Sequence, residues 1–109
     1  MTKRSIVIIL ALSILIVVPN ALAGGGGPDG AAIYKSKCAM CHGPDGAGQT
    51  TMGKNLKVRS LGSAEVQAQT DAQLNKWIAD GKGKMPAYKG KLTPADIDAL
   101  VGFIRTLKK

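Results

Sequence analysis

Cys38-Ala39-Met40-Cys41-His42 is the stretch on which the reading of this chain turns. C-x-x-C-H is the pattern through which haem becomes covalently attached to protein. The spacing has a physical reason. Two thiols about one helical turn apart can each add to one haem vinyl group, and the adjacent histidine then projects under the ring to ligate iron. His42 is the one histidine in the chain, and both cysteines fall within the same five residues. Other readings of the motif need partners that the sequence lacks. A redox C-x-x-C belongs with a βαβ pattern, and none is visible. A structural zinc site takes four ligands, and no further Cys or His stands in the 109 residues to complete one. A plain Cys38–Cys41 disulfide is the remaining alternative. It leaves His42 and a thin core unexplained.

The core is thin by composition. The length of 109 residues suggests one small domain. Only Tyr34, Trp77, Tyr88 and Phe103 are aromatic. A domain of this size is marginal on burial alone and usually needs a staple, a metal or another aid. A haem in the interior would supply that aid.

Residues 1–23 read as an address rather than as part of the fold. Lys3 and Arg4 precede an apolar run from Ile6 to Val18 that only Ser13 interrupts, and Ala21-Leu22-Ala23 offers a small-x-small cleavage site. That is the layout of a secretory signal peptide. The rival, an uncleaved anchor, is disfavoured because the run is well short of the ~20 residues that span a bilayer. The expected destination is a periplasm or another exported compartment, where covalent cysteine chemistry persists. No stable membrane insertion is expected after cleavage. Residues 24–28 form a glycine-rich flexible leader, and residues 29–109 form the domain. Loss of Lys3 and Arg4 takes the formal net charge from +8 to +6.

Along residues 29–109 the pattern is helical, with no convincing strand. Asp29 caps a helix from Gly30 to about Cys41. Gly43-Pro44-Asp45-Gly46-Ala47-Gly48 then breaks regular structure, and residues 43–62 read as one long loop. Ser63 caps a short helix to about Gln69. Thr70 with Gln73 fits a capping box that opens a helix through Leu74, Trp77 and Ile78, ended by Gly81. A second long loop follows, to Lys91. Thr93-Pro94-Ala95-Asp96 supplies a cap, a proline at N1 and an acid at N3, and the last helix runs to about Leu107. Ile97, Leu100, Val101, Ile104 and Leu107 share one face of it. Gly102 within that helix costs roughly 1 kcal/mol against Ala, and close packing is the reason expected for it. Simple tolerance is the alternative. Two such long loops make sense if they wrap a ligand.

A haem iron ligated by His42 either takes a second axial ligand or stays open. With one histidine, bis-His ligation within the chain is excluded. Methionine, lysine and water remain. Met1 departs with the signal, and Met40 lies between the attachment cysteines, which leaves Met52 and Met85. Met52 lies within the loop that continues from His42 on the proximal side. Met85 follows the Trp77 helix, which gives the chain a way round to the opposite face, and Pro86 stiffens the backbone beside it. Lys84 could compete only by losing a proton from an ammonium of pKa ~10.4.

With these residues in place, the sequence resembles the class I cytochromes c, of the small bacterial monohaem, short-chain type. The resemblance spans essentially the whole of residues 29–109. Gly30 and Tyr34 stand where the family carries a glycine and an aromatic before the haem motif. Leu100 and Phe103 match its pair on the last helix, and Met85 matches its distal ligand in a lysine-rich loop. The resemblance implies an all-α cytochrome c fold, with three main helices, a short one and long loops around one covalent haem c. It implies thioethers at Cys38 and Cys41 and axial ligation by His42 and Met85. It also implies a Trp77 indole contact to a haem propionate, for which core packing is the alternative. One departure stands out. Gly53-Lys54-Asn55-Leu56 replaces the Gly-Pro-Asn-Leu of mitochondrial-type members, whose proline carbonyl accepts from the ligating histidine, so Lys54 is the expected substitute acceptor.

The function implied is that of a one-electron carrier rather than an enzyme. No distal histidine and no obvious carboxylate pair accompany the haem motif. The partners expected are redox proteins, with acidic docking surfaces if Lys82, Lys84, Lys89 and Lys91 steer them. A solvated lysine-rich loop is the plainer reading of those residues. Nucleic acid is not expected, since the compartment is wrong and aromatics are scarce. The rival is a haem-based ligand-binding or sensing module, or a small haem enzyme, with an open sixth site. A detached electron-input subunit of a larger dehydrogenase is a third reading.

Overall fold

A computed structural model of the chain describes residues 27–109. The expected signal peptide, and most of the leader, lie outside the described residues.

Asp29 accepts from the Ala32 N–H at 3.2 Å and starts α1, Gly30–Lys37. The chain does not run on as one helix to Cys41. Cys38, at φ −117° and ψ −33°, ends α1, and α2, Ala39–His42, starts anew beyond it. The expected loop over 43–62 is also interrupted, by α3, Thr51–Leu56. Thr50 explains this helix. Its hydroxyl accepts from the Gly53 N–H at 2.9 Å and donates to the Cys41 carbonyl at 3.0 Å, so one side chain caps α3 and ties it to the haem motif. Gly53 looks like a helix breaker in sequence. It is buried, and a Cβ there would run into the Cys41 carbonyl. The close approach outweighs the propensity cost.

The remaining helices follow their caps. Ser63 opens α4, Ala64–Gln67. The Thr70–Gln73 box opens α5, Asp71–Asp80, and Gly81 ends it at φ +70°. The Thr93–Asp96 box, with Pro94 at the first helical position, opens α6, Pro94–Thr106. The architecture is therefore all-α as expected: α1, α5 and α6 are the main helices, accompanied by three short ones instead of one. Among the described residues there is no strand, only two isolated bridges, Lys82 to Met85 and Lys89 to Leu92.

The terminal helices α1 and α6 pack closely. A Cβ on Gly30 would collide with the Ala99 carbonyl. Tyr34 packs its ring on Phe103, with centroids 4.7 Å apart, and Leu100 is fully buried beside them. Gly102 is different. A Cβ there would meet nothing within 4 Å, so the expected close packing is not its reason. Arg105 fastens α6 to the α4–α5 connection, donating to the Gln67 carbonyl at 2.9 Å, the Gln69 carbonyl at 2.6 Å and Asp71 at 2.8 Å. The buried core is Tyr34, Val66, Leu74 and Ile78 with Ile97, Leu100, Val101 and Ile104 of α6.

Candidate haem site

Six of those core residues do double duty: Tyr34, Val66, Leu74, Ile78, Leu100 and Ile104 also wall a cavity of about 450 Å³. The core of this domain is thus largely the lining of a pocket. Cys38, Cys41, His42, Trp77 and Met85 all border that same cavity. Met52 does not. It sits in the first turn of α3 and is 44 % exposed. A shallower depression of about 470 Å³ lies elsewhere, between α5 and α6, lined by Asp71, Asn75 and Asp98. None of the residues singled out for haem chemistry borders it.

Three local arrangements hold the motif. The Cys38 N–H donates to the Tyr34 carbonyl at 2.8 Å, and the His42 N–H returns to the Cys38 carbonyl at 3.0 Å. The Tyr34 hydroxyl donates to the Gly43 carbonyl at 2.6 Å. The Gly48 N–H donates to the His42 carbonyl at 2.7 Å, closing the glycine loop under the motif.

The chemistry of the donors fits haem attachment better than thiol redox work. Cys38 and Cys41 are not joined by a disulfide. Burial, with Cys41 as a lesser cause, pushes the Cys38 thiol up to about 11. A redox-active cysteine needs a lowered value. Burial also lowers the pKa of His42, which keeps its imidazole neutral and available to a metal. Its Nδ1 is buried and has no hydrogen-bond partner, and the residue borders the cavity. The Lys54 carbonyl is not its acceptor. That carbonyl lies in α3 and accepts from the Lys57 N–H at 3.2 Å. The rim of the cavity carries Lys37, Lys57, Arg59, Lys82 and Lys84, and no Asp or Glu lines it. An apolar slot with a cationic mouth suits a flat apolar group bearing two carboxylates.

Met85 reaches the cavity on a short loop stitched to the end of α5. The loop leaves at Gly81, where a Cβ would meet the Met85 carbonyl. It returns when the Tyr88 and Lys89 N–H groups donate to the Ile78 and Ala79 carbonyls at 3.1 and 3.0 Å. These are among the carbonyls that the end of a helix leaves unpaired. The Tyr88 hydroxyl then donates to the Lys37 carbonyl at 3.0 Å, just before Cys38. Sequence reasoning did not foresee these stitches, nor that Lys37, Lys57 and Arg59 join Lys82 and Lys84 at the cavity.

Comparison with known proteins gives the family. A family model described as "Cytochrome C oxidase, cbb3-type, subunit III" matches residues 26–104. Cytochrome c6 of Anabaena variabilis is 33% identical over 81 residues, covering 70% of this chain and 85% of that protein. The chain belongs to the class I c-type cytochromes. Among solved structures, the KustC0563 c-type cytochrome superposes with a TM-score of 0.70 at 38% identity, over 75% of this chain and 100% of that one. The cbb3-type oxidase subunit FixP of Bradyrhizobium diazoefficiens is 37% identical over 82 residues, but this cytochrome spans only 26% of that longer protein. Its family makes this cytochrome a c-type haem electron carrier that works with redox partner proteins.

Proposed function

We propose that this cytochrome is an exported one-electron carrier with a single haem c, bound through thioethers to Cys38 and Cys41 and ligated by His42 and Met85. The observation that carries the reading is the convergence of these four side chains on one apolar cavity whose mouth is cationic and free of acids. The bound haem supplies the redox chemistry, with its iron alternating between ferric and ferrous forms. The chain's own part is to fix the ligands, shield them from water and leave one edge accessible. A thioether ligand raises the potential. Burial of His42 keeps its ring neutral for ligation. Lys37 and Lys57 at the mouth would receive the carboxylates of a bound haem, with the Trp77 indole N–H as a further donor. Export rests on the signal-like residues 1–23. Among the described residues, no helix is long and apolar enough to cross a membrane.

Lys82, Lys84, Lys89 and Lys91 surround Met85 in sequence and are exposed, so the partner is an acidic redox protein. Its electron-transfer rate should fall steeply with added salt, whereas a flat dependence would rule out steering. The ferric spectrum tests the ligand set. A weak red absorption from Met-to-iron charge transfer, with little response to added ligand, supports the carrier. A high-spin spectrum that shifts readily with ligand supports an open-site sensor or enzyme instead.

A further inference from the structure

The Met85 loop has a fastener that its backbone stitches do not account for. Lys82 and Met85 pair through their backbones in both directions. The Lys82 N–H donates to the Met85 carbonyl at 3.1 Å, and the Met85 N–H returns to the Lys82 carbonyl at 3.0 Å. Gly83, at φ +57°, makes the turn between them. Lys82 and Met85 therefore move as one unit. The Lys82 side chain leaves that unit and stacks its ammonium 4.0 Å from the centroid of the Trp77 ring. Trp77 belongs to α5, whose buried Leu74 and Ile78 anchor it in the core. Among the described residues Lys82 has no acidic partner, so the ring is what holds its charge. The stack occupies the face of the indole and leaves its N–H free for other use.

We propose that the Lys82–Trp77 stack is a latch on the Met85 loop, setting how readily the distal thioether gives way to another ligand. The inference rests on Met85 being the distal ligand. For Met85 to swing out of the cavity, its backbone partner Lys82 must follow, and the ammonium must leave the ring. Lys82 and Trp77 are positioning residues that act through Met85. An exposed cation–π contact corresponds to a shift of about two- to fivefold between open and closed loops.

The test uses the ferric holoprotein and imidazole at a pH above the probe's own pKa, where it is neutral and enters only when Met85 leaves. Lys82→Ala should bind imidazole about two- to fivefold more tightly than the unsubstituted protein, with the melting temperature lowered by no more than the few degrees that the lost contact accounts for. Lys82→Arg keeps a cation over the ring and should restore the original affinity. In a Trp77→Leu background, Lys82→Ala should add nothing further, because both changes break the same contact. Suppose Met85→Ala abolishes the charge-transfer absorption but Lys82→Ala leaves imidazole affinity untouched. The latch is then wrong while the ligand assignment stands. If Met85→Ala leaves that absorption intact, the ligand assignment fails and the latch with it.

Discussion

The Tyr34 hydroxyl donates to the Gly43 carbonyl from a side chain that is only 2 % exposed. Ionising that phenol forfeits the bond and leaves a charge in the core. Burial above all pushes its pKa up, to about 12 in the haem-free chain, where the Cys38 and Asp45 charges add to it; a thioether at Cys38 removes the Cys38 part and leaves the dominant burial effect. An unfolded chain keeps the ordinary tyrosine value of ~10. The sign follows from which state holds the proton more tightly. Here it is the folded state, so this contribution is complete below about pH 10 and is lost as pH climbs toward 12. Denaturant titrations across that range should show stability falling in the holoprotein. The fall should be smaller in Tyr34→Phe, which cannot ionise, although that variant starts lower for want of the hydrogen bond. Equal slopes for the two proteins would remove Tyr34 from the alkaline behaviour.

Among the helices, two glycines of opposite meaning give opposite predictions. Gly30 lets α1 lie against the α6 backbone, and any Cβ there meets the Ala99 carbonyl. Gly30→Ala should force the helices apart and destabilise the holoprotein by about 1–3 kcal/mol. Gly102 faces open space, so Gly102→Ala should stabilise by about 1 kcal/mol through helix propensity alone. Thermal melts of both variants check the pair, and the same sign for both would undo this account of α6. The contrast also marks what the sequence allowed. Caps are local, reaching three residues along the chain, and those of α1, α4, α5 and α6 were legible at Asp29, Ser63, Thr70 and Thr93. Helix α3 was missed although Thr50 caps it just as locally, because Gly53 reads as a helix breaker and its reason is a carbonyl at Cys41, far back in the chain. Arg105 was equally silent, since its acceptors lie more than thirty positions back. The haem motif could be recognised because its five residues are contiguous, whereas the rim of cations comes together only on folding.

On the scale of the molecule, most of the buried core is the wall of the cavity. Without a haem, those apolar side chains face a void or water, and a domain this small has little else to offset its chain entropy. Cys38→Ser combined with Cys41→Ser should therefore leave the domain largely unfolded when no haem is present. Native-like helical circular dichroism in that variant would show that the core stands without the cofactor. The central claim concerns the ligand that completes the iron. Met85 borders the cavity, and Met52, exposed on α3, does not. The most direct measurement is the red charge-transfer absorption of the ferric protein, recorded for Met85→Ala and for Met52→Ala. The account predicts that Met85→Ala loses the band, lowers the potential and admits external ligands, while Met52→Ala keeps all three nearly unchanged. Loss of the band in Met52→Ala with its retention in Met85→Ala would contradict the ligand assignment and the placement of both segments.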